Sequence, residues 1–177
     1  LGEHNNNYLS TLDKVSKSKI AQSKLREAFG NFTTGVTIIT TLQSDHLPRG
    51  FTANSFTSVS LEPPLLLVCL SKKALSYKIF YNAEYFAINV LKREQKSISE
   101  LFATQSEKKF LSDHWQAGYK DMPILGGCLS NFVCSKEKII DAGDHTILMG
   151  RVVELRTMDG DPLLYFRGEY RSNSVTE

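Results

Sequence analysis

Residues 51–61, FTANSFTSVSL, gather small hydroxyl and amide side chains into one short stretch: Thr52, Asn54, Ser55, Thr57, Ser58 and Ser60. Phe51, Ala53, Phe56, Val59 and Leu61 stand between them. Roughly period-two alternation predicts an extended strand with one face on a core, so its other face carries a row of hydrogen-bonding groups. Such a face suits a nucleotide, because a phosphate accepts several hydrogen bonds at once. Ala53 is small enough for a flat ring to approach the backbone. The bland alternative is a solvated sheet face. A second polar constellation is Gly143-Asp144-His145-Thr146. It reads as a tight turn, with Gly143 supplying φ > 0 and Asp144 bonding its own backbone. His145 there is either a surface residue or a ligand-facing one.

Other chemistries lack their residues. No GxGxxG or Walker A sequence is present, so a nucleotide must be held by strand hydroxyls and backbone amides. No Ser/His/Asp set and no paired carboxylates stand at convincing positions. Cys69, Cys128 and Cys134 form no CxxC, and the four histidines show no ligand spacing with them. Three thiols cannot all pair within one chain, which points to buried thiols in a reducing cytoplasm. Lys and Arg total 21 against 19 Asp and Glu, with no strong block of either sign, which argues against nucleic acid as a partner. No apolar run approaches about 18 residues, and no signal-peptide pattern occurs, so neither a membrane span nor export is expected.

The elements that must position these groups follow in chain order. Residues 1–18 are polar and rich in Asn, Ser and Lys and read as a flexible arm. One domain is expected over 19–177, a length that buries a sizeable core. Ile20, Leu25, Ala28 and Phe29 fall near helical spacing, with Gly30 as a left-handed stop. Residues 35–41 are a β-branched strand, and 43–50 a turn. Glu62-Pro63-Pro64 ends the polar strand, since proline donates no N–H. Residues 65–70 are a continuous apolar run that predicts a strand buried on both faces. Short helices are expected at 74–82 and 95–104, around a strand at 85–91. Residues 105–126 read as a long loop, and 127–140, 146–157 and 163–170 as three strands. Six or seven strands with few helices predict a mainly β, closed or nearly closed antiparallel barrel.

Three stretches in order, GVTIITT at 35–41, TANSFTSVSLEPPLLLVCL at 52–70 and GDHTILMGRV at 143–152 followed by PLLYFRGEY at 162–170, resemble the short flavin reductases that feed two-component monooxygenases. The resemblance spans about residues 20–171. It implies the flavin-binding split β-barrel, as a homodimer with flavin near the subunit interface. It implies that NADH or NADPH reduces FMN or FAD and that free reduced flavin leaves for a partner oxygenase. Thr52, Ala53, Asn54 and Ser55 would lie along the isoalloxazine and ribityl chain, with Ser58 close by. Ser71, Lys72 and Ser76 are candidates for the flavin phosphate at a helix N-terminus; a plain cap for Ser76 and a solvated charge for Lys72 are the alternatives. Asn89 either contacts the flavin or satisfies another backbone, and Phe110 either covers the ring or packs in the core. Gly143, Asp144 and His145 would line the nicotinamide side. Hydride transfer needs two rings oriented more than it needs an acid or base, which agrees with the missing catalytic sets. The rivals are an electron-transfer flavoprotein of the same fold, serving an acceptor such as ferric iron, and a flavin-binding module without turnover.

Overall fold

The computed structural model describes residues 20–171, so the arm expected at 1–18 lies outside the described residues. The described residues divide into two compact units, with the boundary between Phe32 and Thr33. In the first, helix α1 spans Gln22–Gly30 and buries none of its residues. The left-handed stop expected at Gly30 is absent. The helix runs on into Asn31 at φ −72 and closes with bonds from Asn31 N to Ala28 O and Phe32 N to Phe29 O.

The second unit is a seven-stranded antiparallel sheet in the order β3-β2-β6-β9-β10-β5-β4. Its strands are β2 (Thr37–Leu42), β3 (Pro48–Ala53), β4 (Thr57–Ser60), β5 (Leu65–Ser71), β6 (Tyr85–Val90), β9 (Ser130–Ala142) and β10 (His145–Thr157). A two-residue strand β1 (Thr34–Gly35) precedes them. The β-branched run of β2 is buried from Thr37 to Thr41, where stiff branched side chains pack well. Its three hydroxyls would be costly there unpaired. They donate to Ala53 O, Pro123 O and Tyr85 O at 2.8, 2.6 and 2.7 Å. Ile39, Val68, Leu70, Phe80, Ile88 and Leu148 form one core cluster, and Val36, Ile38, Leu91, Phe102, Leu125 and Leu163 another. Gly150, inside β10, has no room for a side chain: an added Cβ would stand 2.5 Å from Phe86 Cζ.

The architecture is the mainly β, antiparallel one expected, and its details correct several boundaries. The polar stretch 51–61 is two strands. β3 stops at Ala53, residues 54–56 turn a corner, and β4 begins at Thr57. The apolar run of β5 alternates between buried and half-buried residues and is not covered on both faces. The helix near 74–82 is α2 (Tyr77–Asn82), shorter than expected, with Leu75 78% exposed. Helix α3 (Lys96–Phe102) is likewise shorter than the 95–104 expected. Residues 105–126 contain a small hairpin, β7 (Trp115–Ala117) with β8 (Pro123–Leu125). The last expected strand is a hairpin of β11 (Leu164–Phe166) and β12 (Glu169–Arg171). Its turn residues Arg167 and Gly168 have φ of 50° and 83°, the both-positive pattern of a type I′ turn.

The ladder leaves β3 and β4 as the ends of the large sheet. Ser55 ties the corner between them to β5: its Oγ accepts from Cys69 N at 2.9 Å and donates to Cys69 O at 3.3 Å. One side chain thereby takes a place in the ladder that a strand residue would otherwise hold.

Candidate active site

The corner at residues 54–56 opens a cleft of 330 Å³. Phe51, Thr52, Ala53, Asn54 and Ser55 form one wall, Cys69, Leu70 and Ser71 a second, and Ala74, Phe102, Ala103 and His145 complete it. Three separated stretches singled out from the sequence meet here. Their side chains have different tasks. Thr52 Oγ1 donates to Ser99 O at 2.6 Å, fixing β3 to α3. The Ser55 hydroxyl is spent on Cys69. The Asn54 side chain is exposed and makes no hydrogen bond among the described residues.

His145 enters from β10, directly across the ladder from Ser71. Gly143-Asp144 is the two-residue turn before it, with Gly143 at φ 64°, a value only glycine takes cheaply. The His145 ring is 45% exposed, with Nδ1 2.8 Å from Asp144 Oδ1. That hydrogen bond holds the Asp144 carboxyl below the usual carboxylate range. Gly143 and Asp144 themselves do not line the cleft; they set where His145 sits.

A second cleft, of 640 Å³, shares Phe51, Ala74, Phe102 and Ala103 with the first. Its further walls are Pro48–Gly50, Lys73, Leu75, Ser76, Ile79, residues 104–107, Lys109 and Phe110. Ser76 and Phe110 therefore lie at the larger cleft, away from the polar corner. The Phe110 ring also packs 5.1 Å from Phe102 and 4.7 Å from Trp115, between centroids. Helix α2, six residues long, is too short to supply the helix-terminus charge expected beside Ser76.

Three of the expected contacts fall elsewhere. Lys72 faces away from both clefts: Nζ is 2.5 Å from Asp141 Oδ1 and donates to Gly143 O at 2.6 Å. The next residue, Lys73, lines the larger cleft instead; both lysines lie in the turn that follows β5, where Ala74 N bonds back to Ser71 O at 3.0 Å. Ser58 is exposed on the edge strand β4 and borders neither cleft. Asn89 is 0% exposed, so no ligand reaches it in this arrangement. Its Nδ2 donates to Ile38 O at 3.0 Å, and its Oδ1 accepts from Leu125 N and Asn131 Nδ2 at 2.9 and 2.8 Å. Sequence reading missed Arg49, Lys73 and Lys109, the cations of the larger cleft. Lys73 and Lys109 each adjoin a residue that was singled out, which was the available signal.

All three cysteines are free. Burial pushes the Cys128 and Cys134 thiols up to about 12, whereas Cys69 is half-buried at the smaller cleft.

Residues 29–174 match the flavin reductase-like domain over most of the chain. The chain belongs to that family. The reductase component of a flavin-dependent trigonelline monooxygenase from Acinetobacter baylyi is 43% identical over 92% of this chain and 51% of its own length. The reductase subunit of stachydrine N-demethylase from Rhizobium meliloti is 46% identical over 85% of this chain and 66% of its own. This flavin reductase-like chain thus spans between half and two-thirds of those relatives. A solved NADH:FAD oxidoreductase from Streptomyces globisporus, in complex with NAD and FAD fragments, superposes with a TM-score of 0.82. It is 33% identical, over 90% of this chain and 99% of that one. No helix among the described residues is long and apolar enough to cross a membrane.

The family implies a flavin, and the smaller cleft of this flavin reductase-like chain fits one. Its volume of 330 Å³ lies in the range of about 300–1,000 Å³ typical of ligand sites. Phe51, Ala53 and Ala74, all partly exposed in its lining, suit a flat aromatic ring. The unpartnered Asn54 amide offers both a donor and an acceptor, matching the alternating carbonyl and N–H edge of an isoalloxazine.

Proposed function

We propose that this chain is an NAD(P)H:flavin oxidoreductase that reduces FMN or FAD and releases the reduced flavin to a partner oxygenase. The observation that carries this reading is the meeting of Asn54 and His145 at one half-open cleft. Bound flavin supplies the redox chemistry by accepting a hydride; the chain's part is binding and orientation. Asn54, with the backbone of residues 52–55, holds the ring. Ser71, Lys73 and Ser76 face the phosphate where the two clefts join. His145, placed by the Gly143-Asp144 turn, orients the dinucleotide from the β10 side. The relative that is the reductase component of a trigonelline monooxygenase supports an oxygenase partner.

The test is NADH and NADPH oxidation with FMN, FAD and riboflavin compared side by side. A rate that climbs with added free flavin is expected. A tightly held flavin with a rate indifferent to additions would favour the electron-transfer rival, and no oxidation would favour the binding module.

His145→Ala is expected to raise KM for NADH about tenfold, or roughly 1.4 kcal/mol, with kcat nearly kept, as loss of uniform binding does. Unaltered NADH kinetics would remove His145 from the site.

A homodimer in the cytoplasm completes the proposal. The edge strand β4 is exposed at Thr57, Ser58 and Val59, and Leu61 beyond it is 96% exposed, an unprotected edge that a second copy would cover. Free thiols support a reducing compartment. Light scattering should give twice the chain mass at micromolar concentration; a monomer with full activity would refute it.

A further inference from the structure

We infer that Lys109 is a positioning residue for the flavin: its ammonium clasps β3 to the end of α3 and so sets the gap between two walls of the smaller cleft. This rests on the flavin reading of that cleft. Residues 51–55 form one of its walls, and Phe102 and Ala103, where α3 ends, stand on another. Lys109 comes seven residues after Phe102 and reaches back to that junction.

Lys109 Nζ donates to Gly50 O at 3.2 Å and to Phe102 O at 3.0 Å. Those two carbonyls belong to the peptide units that lead into Phe51 and Ala103. Phe51 and Ala103 are surfaces that both clefts share. Phe102 O is also one of the carbonyls that a helix end leaves without an intrahelical donor, and the clasp supplies one. Nζ lies 5.4 Å from the Phe102 ring centroid, within reach of a cation–π attraction. The ring in turn lies against bare backbone, because a Cβ added at Gly50 would stand 2.7 Å from Phe102 Cε1. Phe102 is 1% exposed, so it backs the cleft, whereas Phe51 and Ala103 are open to a ligand.

A second tie joins the same two elements one turn earlier in α3, from Thr52 Oγ1 to Ser99 O at 2.6 Å. With one tie a strand and a helix can pivot about it; with two, their separation is fixed along the wall. Partial burial lowers the Lys109 pKa, and the residue forms no ion pair among the described residues. Two of its three N–H groups are spent on main-chain carbonyls, which makes its task a mechanical one. The rival is a direct contact, with the third N–H on a ligand's phosphate.

The two are separated by a fluorescence titration of the full chain with riboflavin, which has no phosphate, and with FMN. Lys109→Met keeps the aliphatic stem and removes the donors. It should weaken both flavins by the same factor, about fivefold or more, since the wall meets the ring they share. Gly50→Ala leaves the ammonium in place and drives the Phe102 ring off β3. It too should weaken both flavins in parallel, and it decides the matter alone if Lys109→Met does not fold. A loss confined to FMN would make Lys109 a phosphate contact and overturn the inference. So would unchanged affinity per folded molecule in either variant, even with a lowered urea midpoint, because a tie that serves stability alone predicts that result. If wild type binds neither flavin, the proposed function itself fails.

Discussion

Asn54→Leu is expected to weaken flavin binding about a hundredfold while leaving the urea midpoint of unfolding close to that of wild type. A hundredfold loss is about 2.7 kcal/mol. Two hydrogen bonds at about 1 kcal/mol each, together with a branched side chain in a narrow cleft, account for it. The fold should not notice, because the Asn54 side chain is exposed and pairs with nothing among the described residues. Flavin fluorescence followed through a titration gives the affinity, and an unchanged Kd would dismiss the polar corner as the ring site. Ser55 is the wrong residue for this experiment. Its hydroxyl bridges to both backbone groups of Cys69, so replacing it loosens the corner whether or not flavin is present. A variant altered at both positions would confuse the two effects.

Asn89→Leu is expected to cost about 3–5 kcal/mol of stability, since each buried group left unpaired costs about 1–3 kcal/mol. The substitution strands Ile38 O, Leu125 N and Asn131 Nδ2 in the interior, although Asn131 Nδ2 keeps a second acceptor in Leu125 O at 3.0 Å. Against a usual total of about 5–15 kcal/mol, that loss is severe. Chemical denaturation measures it, and a loss below about 1 kcal/mol would show that the network is dispensable. Flavin affinity per folded molecule should be unchanged, which distinguishes a core tie from a ligand contact.

Much of the frame was readable from residue types. The β-branched run of β2, the strand expected at 85–91 and the glycine turn before His145 each carry a local signal that the structure keeps, although β6 is buried at four successive residues, Phe86 to Asn89. The corner at 54–56 carries only a faint one, the adjacent polar pair Asn54-Ser55 where the alternation slips, and a rough period-two reading passes over it. Lys72 and Lys73 look equivalent in sequence. Which of them meets the cleft depends on the turn after β5, where Lys72 N bonds to Asp144 O and its side chain reaches Asp141. Asn89 announced a buried polar group, yet its partners come from 36 and 42 residues further along the chain. Strands β7 and β8, at three residues each, are too short to show a period. Arg49 and Lys109 look like ordinary surface charges until the tertiary fold sets them on one wall.

The hairpin β7–β8 is moored to the sheet by Asn89 and Asn131, and Gln95 Nε2 adds a bond to Gly126 O at 3.0 Å. At the other end, Phe102 is fully buried. Residues 103–107, one wall of the larger cleft, are therefore slung between Phe102 and the anchored pair Lys109 and Phe110, which bond to Gly50 O and pack on Trp115 respectively. Segments suspended in this way tolerate insertion and exchange better than the elements they join. Length and composition there can drift while the Asn54 corner and His145 stay in register. The scaffold can thus reshape its larger cleft without rebuilding the corner where Asn54 and His145 meet.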